Sequence, residues 1–264
     1  MKIDKKHVRE AFAAYVKNYD DSDEKIKLKI DHTYRVSELC QKIAQSQELL
    51  PQDAELSWLT GMLHDIGRFE QLKNYHTFND AESVDHAGCG ADILFREGKI
   101  RDYIADPSAD ALLEQVIRVH SIYRLPETLT RRERIFAEIL RDADKIDIIK
   151  VNVEVPIEEI YNVTTQELAN AEVTESVMQS FYERHAVLRS LKRTAVDNLA
   201  GHISLVYELV YPLSLKIVME QGYLKKMMEF QSENKKTQEQ FAEIRKQIKN
   251  YVLNKEEEEV NEKE

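Results

Sequence analysis

Four histidines and two aspartates are the residues of this chain best suited to chemistry: His32, the adjacent pair His64 and Asp65, His86, His120 and Asp144. Imidazole nitrogen combined with carboxylate oxygen suits Mn, Fe, Co, Ni or Zn, and thiolate is absent from the set. One or two divalent ions are implied. A carboxylate has two oxygens, so Asp65 is able to join an ion held by His32, His64 and Asp144 to a second held by His86 and His120. Ions about 3.5 to 4 Å apart can share a hydroxide that is strongly nucleophilic near neutral pH. Asp65 would orient that hydroxide as well as bind metal. Arg68, close behind Asp65, carries a guanidinium that can grip phosphate oxygens bidentately. Lys145 and His76 are further candidates for substrate contact. A salt bridge accounts for Lys145 at least as well, because it adjoins Asp144 and neighbouring helix residues point about 100° apart. Taken singly, a histidine on an apolar helix face is more often a hydrogen-bonded core residue than a ligand. His7, His185 and His202 are read in that plainer way, as structural or surface residues.

Helices must position these groups. From Asp31, taken as an N-cap, His32, Val36, Leu39, Cys40 and Ile43 recur at three- and four-residue steps and aim His32 at the core. After Pro51, with a cap at Asp53, Leu56, Leu59, Leu63 and Ile66 form the next stripe, which Gly67 is expected to end. Residues 68–80 lack periodicity and read as a loop beside the site, the kind of segment that often carries recognition groups. Further helices are predicted from about Asp85, through Leu112 to His120, and from Arg131 past Asp144. Val151, Val153, Val155 and Ile157 alternate with polar residues and read as an extended linker rather than a strand, since no partner strand is evident. Residues 173–200 and 202–252 are helix-like again.

Composition agrees with an all-α chain. Only 7 glycines and 5 prolines occur in 264 residues, less than half of an average share of about 12% for the pair, so few residues interrupt helices. Hydrophobic residues make up 42% and charged residues 32%, which fits a soluble globular protein and not a disordered one. The expected organisation is one helical domain over residues 1–254 and a solvated acidic tail over 255–264. The formal net charge is -11, and six glutamates crowd the tail. An acidic surface argues against duplex nucleic acid as a partner. No stretch approaches the roughly 18 apolar residues of a membrane span, and Met1 to Tyr15 lacks the apolar run of a signal peptide. With only Cys40 and Cys89, no disulfide scaffold exists, and the cytoplasm is the expected compartment.

The order His32, His64-Asp65, Asp144 resembles the HD-domain metal-dependent phosphohydrolase superfamily. Leu63-His64-Asp65-Ile66-Gly67-Arg68 resembles its central motif, and Asp142-Ala143-Asp144-Lys145 its last ligand region. The resemblance spans about residues 25–150 and implies an all-helical fold, with His32, His64, Asp65 and Asp144 as ligands. Superfamily members with two metals have extra histidines between the central pair and the last aspartate. His86, in Asp85-His86-Ala87-Gly88-Cys89-Gly90, resembles the first of these and His120 the next, which favours two ions. In such relatives a lysine commonly stands where this chain has Arg68. The cyclic-dinucleotide phosphodiesterase branch shows a paired histidine and Gly-Tyr-Pro, whereas this chain reads His120-Ser121-Ile122-Tyr123-Arg124-Leu125-Pro126.

The resemblance implies hydrolysis of a phosphate ester or anhydride, in a nucleotide or another small phosphorylated molecule. Arg68 would offset charge during the displacement. Two other readings stay open. Mixed-valent di-iron oxygenases such as myo-inositol oxygenase have a similar ligand order, and a noncatalytic helical signalling module would keep the fold with a decayed site.

Overall fold

The computed structural model describes residues 2–161 and 163–261, which form helices and short helical turns with no strand. The all-α expectation is met. The chain forms two compact units, Met1–Ala143 and Asp144–Glu264.

The first unit contains α1 (Lys5–Val16), α2 (Glu24–Ser46), α3 (Pro51–Leu63), α4 (Ile66–Tyr75), α5 (His86–Ala91), α6 (Asp110–Val119) and the beginning of α7 (Arg131–Glu154). Two close helix approaches set its architecture. A Cβ placed on Gly61 of α3 would stand 2.6 Å from the Ser37 Cα of α2, so only glycine lets these two helices come so near. On Gly67 of α4 it would stand 2.2 Å from the His86 carbonyl and 2.6 Å from the Gly90 nitrogen of α5. The first approach lays α3, with His64 at its end, beside the helix that carries His32. The second draws α5, which starts at His86, against the helix that follows Asp65. Around them Phe12 of α1 meets Tyr34 and Phe69 edge-on at 5.6 and 5.8 Å. Trp58, Phe12 and Phe69 are fully buried, each contributing about 2 to 3 kcal/mol of transfer free energy.

Several sequence expectations are corrected here. α2 starts two turns earlier than Asp31, because Asp23 supplies the cap by accepting from Lys25 N; Asp31 is an exposed residue inside the helix. α3 is capped at Leu50, with Asp53 in its first turn. Gly67 does not stop a helix. The break falls at His64 and Asp65, after which α4 runs to Tyr75. Residues 68–75 are therefore helical, burying Phe69 and Leu72 on one side, and only 76–79 of the expected loop precede the next helical turn, Asp80–Glu82.

The second unit holds the rest of α7, then α8 (Ile157–Tyr161), α9 (Thr165–Asn170), α10 (Glu175–Tyr182), α11 (Ala195–Ile203), α12 (Pro212–Gln221), α13 (Tyr223–Met228) and α14 (Lys235–Asn261). Val151 and Val153, read as a linker, are helical residues of α7; β-branched residues lower helix propensity only slightly, and context overrides it. α14 also takes in most of the predicted tail. Lys255 to Glu258 are exposed but helical, and residues 262–264 lie outside the described residues. Its buried face includes Phe241, Ile244 and Ile248. Gln240 ties the helix to the chain before α10, donating to the Val173 carbonyl at 2.7 Å and accepting from its N–H at 3.2 Å. Among the described residues no helix is long and apolar enough to cross a membrane.

Candidate metal centre

His64 and Asp65 occupy the joint between α3 and α4. An aspartate at a helix start ordinarily accepts from the amides of the first turn. Asp65 makes no such bond, and its carboxylate turns to four imidazoles. Oδ2 lies 3.5 Å from His32 Nε2 and 3.4 Å from His64 Nε2. Oδ1 lies 3.5 Å from His86 Nε2 and 3.8 Å from His120 Nε2. Each oxygen thus serves one histidine pair. Within the pairs, the Nε2 atoms of His32 and His64 are 3.3 Å apart, and those of His86 and His120 are 3.1 Å apart. All five residues are buried. His32 projects from within α2, His86 opens α5 behind the Asp85 cap, and His64 and His120 close α3 and α6.

The tautomers follow from the other ring nitrogens. His64 Nδ1 faces the Gly61 carbonyl at 2.8 Å, His120 Nδ1 the Ile117 carbonyl at 2.7 Å and His86 Nδ1 Asp80 Oδ2 at 2.6 Å. A carbonyl or carboxylate oxygen only accepts, so Nδ1 carries the hydrogen and Nε2 the lone pair in each neutral ring. Burial pushes His86 down to about 4 against the opposing hydrogen bond to Asp80, which keeps it neutral near pH 7. In that tautomer the Nε2 atoms of His86 and His120 converge on each other and on Asp65 Oδ1. Such a convergence of acceptors fits a cation, and the donor set of imidazole and carboxylate suits a first-row divalent ion.

The ligand atoms of His64, Asp65 and His120 all lie within 4.8 Å of one another, as do those of His32, His64 and Asp144. His86 falls in a third such set, with Asp80 and Asp85. Asp144 follows directly on Ala143 in the unbroken helix α7 and is partly exposed. Lys145 is buried. His76 caps α4 in the left-handed region at φ 55° and is exposed; its carbonyl, and not its ring, accepts from Lys25 Nζ at 3.3 Å.

Three functional neighbours escaped the sequence reading. Lys29, one turn before His32 on α2, donates to Asp65 Oδ2 at 2.7 Å. Burial alone would raise the Asp65 carboxyl, but Lys29 and the surrounding imidazoles outweigh it and hold the group well below the usual carboxylate range. Asp80 accepts from His86 through one oxygen and from Arg68 Nη1 and Gln71 Nε2, both at 2.8 Å, through the other. Burial opposes ionisation here too, yet His86 and Arg68 bring Asp80 down to about 2. Arg68 Nη1 also donates to Gln71 Oε1 and to the Phe78 carbonyl, while Nε lies 3.7 Å from Asp65 Oδ1. The spacing of Lys29 and His32 on one helix face was the available signal for the first. Nothing local marks Asp80 and Gln71, because an irregular stretch brings them together.

The family model for the HD domain matches residues 30–149, a span that contains His32, His64, Asp65, His86, His120 and Asp144. No curated protein and no solved structure matches the chain. Residues 30–149, where the buried histidine pairs flank Asp65, are thus similar to the HD domain over a little under half of the chain.

Proposed function

We propose that the chain hydrolyses a phosphate ester or anhydride of a small molecule, with nucleotides as the leading class, at a centre that holds two divalent cations. The carrying observation is the division of Asp65: Oδ2 faces His32 and His64, whereas Oδ1 faces His86 and His120. One buried carboxylate bridging two imidazole pairs suits a pair of ions better than a single one. Bound divalent cations would supply Lewis acidity toward phosphoryl oxygens and an activated water. The side chains then have separate tasks. Asp144 completes the His32 and His64 side. Asp80 fixes the His86 ring through Nδ1, as carboxylates behind ligating histidines do. Arg68 and Lys29 provide positive charge beside Asp65 against the charge of a phosphorylated substrate.

The test is a panel of phosphomonoesters, nucleotides and phosphodiesters offered to the purified protein with Mn, Fe, Co, Ni, Zn or Mg. Turnover with at least one metal, lost in His64→Ala, is the expected result. Absence of turnover with every metal and substrate class defeats the proposal, and oxygen uptake by the iron-loaded protein would reassign it to the oxygenases.

A further inference from the structure

Helix α6 gives way to a turn at His120, and a helix end leaves carbonyls that no further turn of the helix satisfies. The Ile117 carbonyl meets both His120 N at 3.5 Å and His120 Nδ1 at 2.7 Å, and the Val119 carbonyl accepts from Ile122 N at 3.4 Å. The carbonyls that follow are taken from another helix. Arg141 of α7, a buried residue, donates through Nη1 to the His120 carbonyl at 3.0 Å and to the Ile122 carbonyl, and through Nη2 to the Tyr123 carbonyl at 3.2 Å. One planar guanidinium thereby closes α6 and fixes the turn after it, a task that the point charge of a lysine does not perform.

The two histidines on the Oδ1 side of Asp65 are steadied differently. His86 is held through its ring, by Asp80. The His120 ring bonds at Nδ1 to a carbonyl of its own helix, so the ring follows the backbone that carries it. That backbone is what Arg141 holds.

We propose that Arg141 is a positioning residue for His120 and through it sets the affinity of the centre for its second cation. The inference rests on the two-ion reading of the site. Arg141 acts through the peptide rather than the ring, keeping the end of α6 closed so that His120 Nε2 stays directed at His86 Nε2 and Asp65 Oδ1.

Arg141→Lys, which keeps the charge and loses the fork, tests this with two readouts. In calorimetric titration with Mn the first binding step should hold while the second weakens by about 10- to 100-fold, the range for groups that orient metal-bound histidines. In metal-free protein, ring-nitrogen NMR should show the native His120, identified by the signals missing from His120→Gln, with its hydrogen on Nδ1, and a mixture of tautomers in Arg141→Lys. A folded Arg141→Lys with native affinity in the second step overturns the proposal, and so does a His120 ring that keeps its native tautomer. Should the native protein take a single Mn, the two-ion reading fails instead, and the tautomer comparison alone decides the role of Arg141. Arg141→Met, which leaves no charge to bury, replaces the lysine variant if that one does not fold.

Discussion

Asp65 and Asp197 are both buried aspartates near the start of a helix, yet their surroundings are opposite. Asp197 of α11 is met entirely by donors: Oδ1 accepts from Thr174 N at 2.8 Å, and Oδ2 from Thr174 Oγ1 at 2.5 Å, Arg193 N at 2.7 Å and Thr194 N at 2.9 Å. Backbone amides and a hydroxyl answer the charge, and the carboxylate ties three stretches of chain together. Asp65 has Lys29 on Oδ2 and Arg68 Nε 3.7 Å from Oδ1, and otherwise faces the Nε2 atoms of four imidazoles. A buried carboxylate met by backbone amides is a structural clamp, whereas one ringed by four imidazoles and two cationic side chains suits a site that holds a metal. Burial alone would not separate the two.

Substitution should separate them most sharply. Asp65→Asn is expected to abolish metal-dependent turnover and the metal-induced rise in Tm, since an ion bound only to the folded state stabilises it by mass action, while the metal-free protein still folds. Asp197→Ala should do the reverse, lowering the unfolding free energy by about 3 kcal/mol in urea titration, as several buried donors lose their acceptor, with metal stoichiometry unchanged. If Asp197→Ala lost metal and Asp65→Asn lost stability, the contrast would be inverted and the assignment of Asp65 abandoned.

Asp80 sharpens the comparison inside the metal centre. It is not placed among the ligands, but it holds His86 in the tautomer that directs Nε2 at His120. Asp80→Asn should weaken metal binding by about 10- to 100-fold in a calorimetric titration, as removal of partners behind metal-bound histidines does. An unchanged binding curve would reduce Asp80 to a partner of Arg68.

The smallest effect concerns pH. Burial, then the charge of Lys192, lowers His202 to about 3, below the ordinary imidazole value of 6.5. Between these values the unfolded chain binds more protons than the folded one, so stability falls as pH drops from about 6.5 toward 3. His86, lowered to about 4, acts with the same sign. In metal-free protein His202→Gln should lessen the loss of stability between pH 7 and pH 5 by about 2 kcal/mol, read by denaturation at the two pH values. Parallel pH profiles for the variant and the native chain would show that His202 does not sense protons.

Much of the centre was legible in the residues themselves. Imidazoles and carboxylates placed on apolar helical stripes announced a cluster that could hold metal, and the low glycine and proline content announced helices. The error at residues 68–75 shows where such reading stops. Gly67 looked like a helix end because glycine often serves as one, but here its lack of a side chain admits α5, a requirement visible only from the other helix. The partners of Arg68 were equally out of local view, for the fold gives its Nη1 to Asp80 and the Phe78 carbonyl.

The kinds of ligand, their order and the helices beneath most of them were thus set by the primary chain, because periodicity and side-chain chemistry are local properties. Which histidines share an oxygen of Asp65, which carboxylate stands behind His86, and which cation rests against Oδ2 were decided only when close helix approaches at Gly61 and Gly67 brought distant residues to contact distance. Contacts of that kind depend on how surfaces fit, and no local pattern encodes the fit.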